Sequence, residues 1–530
     1  MEKFSKIPTS PSELPGHFAD RLGLFYTSTV TQHHKKENGQ FFTTIEIARL
    51  MASYSENKST YIRLLDPGCG TGILSCVLIE YLIQSNPNLE KIDLQAYETD
   101  TNLIELSEKS FAYLKLWLIE KGIELNYTVL NNDFILENAD VLKSKSDLFQ
   151  SVHEPFDIII SNPPYFKLSK EDPRTKVAQV VVSGQPNIYS IFMAVAAKLL
   201  SENGEIIFIT PRSFASGNYF KAFREFFFTL VSIDKIHLFG SRRETFTRDN
   251  VLQETVIMKG RKKEPAESFN NIEITSSAGL KDLNESSMKT YRSDEIIDFN
   301  TNEKMLHLPT NDSEEMIVRL FKSWIGNLNK YQIQISTGPV VSFRARDFIK
   351  AQYEDDSVFL APLFWLHNVN KMSLEYPVSK PNKGQYIVIC KESKSLLIPN
   401  KNYVLLRRFS SKDDNSRLIA APYFCNFMEA DFIGVENKVN YIYRPKGHLE
   451  RIEVVGLCAL LNSQLFDTYF RTFNGNVNVS ATELREMSLP PLETIKQIGN
   501  SIILSNDYSI TNVNRVINEF FYVESYLATA

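Results

Sequence analysis

Short apolar runs, each followed by a helical pattern, limit what this chain can fold into more than any other feature. YIRLLD (61–66) precedes TGILSCVLIEYLIQ, and DLQAYE (93–98) precedes NLIELSEKSFAYLKLWLIEKG. FDIIIS (156–161) leads, after a long loop, to IYSIFMAVAAKLLSENG, and EIIFIT (205–210) precedes YFKAFREFFFTL. SIDKIHLFG and ETVIMKG follow. Strands of four to six apolar residues that do not alternate, separated by helices, predict a mostly parallel sheet covered on both faces. From about Phe41 to Gly260 the expectation is a doubly wound α/β domain.

The chain has 530 residues, too many for one core, so two or three domains are expected. No run of 18 apolar residues predicts a membrane span, and MEKFSKIPTSPSELPGHF lacks the apolar segment of a signal peptide. Cys69, Cys76, Cys390, Cys425 and Cys458 are scattered and show no CxxC spacing, which points to a reducing compartment and to no metal site. A net charge of −5 means that any nucleic-acid surface must be locally basic on an otherwise acidic protein. Residues 260–310 turn polar and read as a connector. A helix then starts at NDSEEMIVRLFKSWIGNL, where Asp312 and Glu315 have capping-box spacing. Tyr331 to Tyr443 is strand-rich and aromatic, and 454–473 is helical.

LLDPGCGTG (64–72) sits at a strand-to-helix junction. Gly68, Gly70 and Gly72 let backbone turn tightly and approach a ligand. Asp66 stands at the carboxyl end of its strand, where open α/β sheets bind ligands. Glu98 ends the next strand, where a carboxylate can accept ribose hydroxyls. Asp133 and Phe134 follow a third strand, placed to accept from an adenine amine and to pack on its ring. A plain glycine turn explains Gly70 alone. The ordered set predicts an adenosine-type ligand.

FDIIISNPPYFKL (156–168) ends a buried run on Asn162, Pro163, Pro164 and Tyr165. Two prolines surrender two backbone donors and fix two φ angles. Four specified residues recur by chance on the order of once in 300 chains of this length. A nucleobase amine is a poor nucleophile because its lone pair is delocalised. Hydrogen bonds from its two N–H groups to the Asn162 side-chain oxygen and the Pro163 carbonyl would free that lone pair, as preorganised dipoles do for developing charge. Tyr165 would stack on the base.

These residues resemble the S-adenosylmethionine-dependent amino-methyltransferases, and more closely the gamma-class, TaqI-type adenine-N6 DNA methyltransferases of bacterial type II restriction–modification systems. GQFFTTIEIARLM (39–51), the glycine loop and NPPY stand in that family's order, and the likeness runs from about residue 22 to 492. The resemblance implies a Rossmann-like methyltransferase sheet with a C-terminal mixed α+β target-recognition domain. The expected boundaries are an N-terminal extension (1–30), a catalytic domain (31–265), a connector (266–330) and a recognition domain (331–530). It implies S-adenosylmethionine as methyl donor. Phe41, Thr43, Asp66, Gly68 and Gly70 would line its methionine side, Glu98 its ribose, Asp133 and Phe134 its adenine, with Asn162 beside it. The family usually has Thr-Pro where this chain has Thr43-Thr44. Asn162, Pro163, Pro164 and Tyr165 would hold the target base, and Phe246 would cover its other face.

The resemblance also implies double-stranded DNA as partner, with the target nucleotide rotated out of the duplex. STGPVVSFRARDFIK (336–350) and LLNSQLFDTYFRTFNGNVNVSATELREMSLP (460–490) resemble recognition-domain segments. Arg344, Arg346, Lys350, Asn474, Asn476 and Arg212 are the candidate DNA contacts, with Asn478, Arg407, Arg408, Lys438, Arg444 and Lys446 behind them. A monomer in the bacterial cytoplasm, associated with the nucleoid and serving beside a separately encoded endonuclease, is expected. A glutamine-N5 protein methyltransferase also uses NPPY but lacks the long C-terminal half. A bifunctional nuclease would need its own domain, and the intact NPPY disfavours a silent DNA-binding subunit. Cytosine-N4 enzymes tend to carry Ser where Asn162 stands.

Overall fold

The computed structural model describes residues 12–31, 33–34, 39–143, 153–240, 254–265, 268–283, 286–351, 359–410, 414–475 and 477–522. The chain divides into two compact units, Met1–Leu306 and His307–Ala530.

The first unit is built on a nine-stranded sheet. Its strands are β1 Tyr61–Pro67, β2 Lys91–Tyr97, β3 Glu124–Leu130, β4 Phe156–Ser161, β5 Leu200–Pro211, β6 Val231–Phe239, β7 Thr255–Lys262, β8 Asn271–Ser277 and β9 Ser287–Arg292. The order is β3-β2-β1-β4-β5-β7-β6-β8-β9. Strands β1 to β5 pair in parallel, and β7 runs antiparallel between β5 and β6. Successive strand residues face opposite sides, so the unbroken buried runs of β1, β4 and β5 show that both faces are covered. The chain winds outward from β1 to β3 and restarts at β4. That reversal leaves a crevice at the carboxyl ends of β1 and β4, the place where open α/β sheets bind ligands.

Helices α1 (Pro15–Thr29), α2 (Ile45–Ala52), α3 (Ile73–Ser85), α4 (Thr101–Ile119), α5 (Phe134–Glu137), α6 (Pro173–Val177), α7 (Ile188–Leu199) and α8 (Lys221–Leu230) belong to this unit. The stretch before residue 30 is more than an extension. Proline opens α1, and Phe18, Leu22 and Tyr26 recur every fourth residue to form one buried stripe with Leu103 and Leu106 of α4. The Gly16 amide donates to Glu80 Oε1 at 2.6 Å, tying α1 to α3. The first part of the expected connector also belongs to the sheet, as β8 and β9. Both bury alternate residues or fewer, so their composition is polar.

In the second unit, helix α9 (Asp312–Ser323) is capped by Asn311, whose side chain accepts from the Glu314 amide, one residue ahead of the expected Asp312. A four-stranded antiparallel sheet runs Gln334–Thr337, Val439–Tyr443, Tyr403–Arg407, Ala420–Tyr423. A five-stranded sheet runs Ile349–Lys350, Tyr386–Val388, Leu360–Phe364, Phe432–Val435, Leu397–Pro399. The helical stretch after residue 450 breaks at Ser463, which closes α10 (Arg451–Asn462) and caps α11 (Gln464–Phe473). No helix among the described residues is long and apolar enough to cross a membrane.

Candidate active site

The glycine loop leaves β1 and turns at once. Gly68, Gly70 and Gly72 adopt φ of +78°, +56° and +81°, a region other residues enter at a cost. The Gly68 and Cys69 amides both donate to the Tyr97 carbonyl at 2.9 Å, pinning the loop to the end of β2. Glu98 lies just beyond. Its Oε2 accepts from the Gly70 amide at 3.0 Å, and its Oε1 from the Thr99 and Asp100 amides at 2.8 and 3.0 Å. A carboxylate offers about four acceptor positions, so about one remains, on Oε2. Burial raises the Glu98 carboxyl above its usual range, against the pull of those three amides.

Asp133 caps α5: its Oδ1 accepts from the Ile135 and Leu136 amides at 2.9 and 3.0 Å. Its Oδ2 lies 3.6 Å from the Arg174 guanidinium, which is held by Asp172 at 2.7 Å. The Phe134 ring is 2% exposed and packs against Tyr97 and Phe192, both at 5.2 Å. One cleft is lined by the 39–43 segment, the glycine loop, Glu98, Asp133, Phe134, Asn162, Pro164, Phe166, Arg174 and Phe192. The expected ligand residues Phe41, Thr43, Gly68, Gly70, Glu98, Asp133, Phe134 and Asn162 all stand on its wall.

Asp66 is the exception. Its side chain is fully buried behind the glycine loop, outside the cleft wall. Ser75 donates to its Oδ2 at 2.6 Å, while Oδ1 meets no donor among the described residues. Burial pushes its pKa up to about 7, from 3.8.

Asn162 follows β4, whose last residue, Ser161, donates to the Pro67 carbonyl at 2.5 Å and so couples the ends of β4 and β1. The Asn162 amide nitrogen donates to the Phe41 carbonyl at 2.8 Å and to Thr43 Oγ1 at 3.0 Å. The Phe41 carbonyl can only accept, which settles the amide's orientation and turns Oδ1 the other way. Phe41 and Thr43 thus aim the side chain of Asn162. Among the described residues no donor meets the Pro163 carbonyl.

The Tyr165 phenol is 7% exposed. Its hydroxyl lies 2.5 Å from Asn162 Oδ1 and 2.8 Å from the Ile209 carbonyl. One hydroxyl hydrogen serves one of these acceptors at full strength. Its ring stacks on Phe41, centroids 5.3 Å apart. Burial raises its pKa well above the usual range, so the phenol stays a donor.

Other expected contacts separate clearly. Arg344, Arg346 and Lys350 are exposed on the second unit, as are Lys438, Lys446 and Asn478. Arg212 is buried, 5% exposed, and pairs with Glu254 at 3.4 Å, so it presents no charge to a duplex. Asn474 is 2% exposed, accepts from Arg417 and donates to Glu483, both at 2.9 Å, so its amide braces the unit's interior. Arg407 and Arg444 are likewise engaged, with the Val369 carbonyl and with Glu453. Phe246 and Asn476 lie outside the described residues. Arg174, Phe166 and Phe192 were not anticipated. Phe192 lies within an apolar helix, and nothing in its spacing marks it.

A family model described as Eco57I restriction-modification methylase matches residues 72–246. The chain is 30% identical to the type II methyltransferase M.PstI of Providencia stuartii over 98% of its own length and 99% of that protein's. It is 34% identical to the type II methyltransferase M.BsuBI of Bacillus subtilis over 91% and 93%. Among solved structures, that of the type IIL restriction-modification enzyme MmeI in complex with DNA has a like fold. It covers 97% of this chain and 74% of that one, with a TM-score of 0.51 and 13% identity. With two such relatives matched almost end to end, the chain belongs to the family of type II methyltransferases of restriction–modification systems.

Proposed function

We propose that this type II methyltransferase moves a methyl group from S-adenosylmethionine to the N6 amine of an adenine rotated out of double-stranded DNA, at a specific site. Its role would be to protect cytoplasmic host DNA from a separately encoded endonuclease. The observation that carries the reading is the side chain of Asn162, anchored through its nitrogen by Phe41 and Thr43, with its oxygen turned away as an acceptor that now meets the Tyr165 hydroxyl.

The cleft suits an adenosine-bearing donor. The positive-φ glycines leave room against the loop backbone, Glu98 keeps an acceptor for a ribose hydroxyl, and a second hydroxyl would displace the Gly70 amide from Oε2. Asp133 lines the cleft with Oδ2 free of backbone donors, to accept from an exocyclic amine, beside the Phe134 and Phe192 rings. The donor, when bound, supplies an electrophilic methyl group on sulfur. The chain's own residues prepare the acceptor. Asn162 Oδ1 takes one N–H of the adenine amine and the Pro163 carbonyl takes the other, concentrating the lone pair on nitrogen. As the amine arrives, the Tyr165 hydroxyl turns to the Ile209 carbonyl. For the base to stack on Tyr165, the Phe41 ring must move aside, while the Phe41 carbonyl and Thr43 keep hold of Asn162. The product ammonium sheds its proton without a dedicated base. The second unit is assigned as the target-recognition domain, with Arg344, Arg346 and Lys350 on phosphates.

Incubation with methyl-labelled cofactor and duplex DNA, followed by nucleoside mass spectrometry, tests this. Label in N6-methyladenine is expected. Label in N4-methylcytosine or in protein glutamine would refute it.

A further inference from the structure

Beside the NPPY loop stands an aromatic side chain that the reaction above does not use. Tyr219, in the turn after β5, is 50% exposed. It rests on a built ledge. Gly184, at φ +79°, lies against its ring, and a Cβ there would come within 2.9 Å of it. The Lys167 ammonium, two residues past Tyr165 in sequence, lies 5.9 Å from the ring centroid and is exposed. Lys167 also forms an antiparallel bridge with Asn187, which fixes its backbone.

The ledge shares its support with the site. Phe220, next to Tyr219, stacks on Tyr189 at 5.3 Å, and Tyr189 meets Tyr165 edge-on at 6.1 Å. The Tyr189 hydroxyl bonds Ser213 Oγ at 2.9 Å. Buried Arg224 donates to the Phe214 and Gly217 carbonyls at 3.0 and 2.9 Å, locking the turn that carries Tyr219. A large ring thus stands on a braced turn, half in water, with a cation 5.9 Å from its centroid. Every nucleobase has a π-face that such a ring accepts, and the neighbouring phosphate matches the ammonium.

We propose that Tyr219 and Lys167 form a second contact with the DNA strand, Tyr219 stacking on a base adjacent to the everted one and Lys167 holding the adjoining phosphate. The proposal rests on the reading of the substrate as duplex DNA, and it adds a contact that this reading does not need.

The test uses the full chain and duplexes built on the methylated sequence read from genomic DNA of expressing cells. Binding is followed by fluorescence anisotropy, and cofactor binding by calorimetry reports intact folding. Tyr219→Ala is expected to weaken duplex binding about 10-fold or more, and Tyr219→Phe to stay within about twofold of wild type. Lys167→Ala should lower the slope of log affinity against log salt by about one. A duplex with an abasic residue beside the target adenine should abolish the difference between wild type and Tyr219→Ala. Unchanged binding by Tyr219→Ala, or equal loss in the Ala and Phe variants with cofactor binding intact, overturns the ledge alone. A wild-type protein that neither binds nor methylates any duplex overturns the ledge together with the function it rests on.

Discussion

The glycine-loop wall and the Asn162–Tyr165 loop rise from neighbouring strands, β1 and β4, yet they stand ready to different degrees. The wall is open: Glu98, Asp133 and Phe134 line the cleft, and their backbone partners leave an acceptor on each carboxylate. The loop is closed on itself, with the Tyr165 hydroxyl at the Asn162 oxygen and the Tyr165 ring against Phe41. The contrast teaches an order. One ligand can enter a preformed cleft, whereas the other must replace hydrogen bonds and stacking that the protein makes for itself. The 39–43 segment lies on both, since it lines the cleft and grips Asn162.

Damage to the two sides should therefore separate. The largest effect is expected from Asn162→Ala, which removes a preorganised acceptor. Methyl transfer should fall by about 10²-fold or more with cofactor affinity retained, read by single-turnover assay and calorimetry. Comparable loss of both would place Asn162 on the wrong side of the comparison. Glu98→Gln should do the reverse, weakening cofactor binding by about 10- to 100-fold, the scale of a charged hydrogen bond, with a smaller change in turnover at saturation. Thr43→Val sharpens the contrast, because Thr43 lines the cleft but holds Asn162. If aiming is its main task, kcat drops about tenfold while the cofactor dissociation constant hardly moves. A change confined to affinity would make Thr43 a simple ligand contact.

A last effect, on stability and not on turnover, concerns Asp66, behind the wall. Its carboxyl ionises near 3.8 when unfolded and near 7 when buried, so the fold binds that proton more tightly. The resulting stabilisation is complete below 3.8, declines as pH rises from there, and is gone above about 7. The difference in melting temperature between wild type and Asp66→Asn should shift against wild type from pH 5 to 7 and level off beyond. A constant gap would show that the carboxyl does not titrate in that window.

Much of this was legible in the sequence because it is local. Buried strands read as unbroken apolar runs, glycines at positive φ stand in one nonapeptide, and Asn162 to Tyr165 are contiguous. What escaped depends on contacts between distant segments. Nothing near Asn162 says that a carbonyl and a hydroxyl from residues 41 and 43 will hold its nitrogen. Arg174 follows Asp172 and Pro173, which announce a helix start and not an approach to Asp133. The burial of Asn474 and Arg212 is hidden because polar residues in loops read as surface, whereas Glu483, Arg417 and Glu254 give them buried partners. Strands β8 and β9 are hard to place in the sequence because strands near a sheet edge bury too little to leave an apolar run. The i, i+4 stripe of α1, Phe18, Leu22 and Tyr26, is legible in the sequence once the helix is placed.

The central claim is that the Asn162 oxygen passes from the phenol of Tyr165 to the amine of the target base. A crystal structure with a cognate duplex and a non-reactive cofactor analogue tests it directly. The account expects Asn162 Oδ1 within about 3.2 Å of the everted adenine's exocyclic nitrogen, with the Tyr165 hydroxyl turned to the Ile209 carbonyl. An everted base whose amine lies elsewhere, with the Tyr165–Asn162 hydrogen bond still in place, would contradict it.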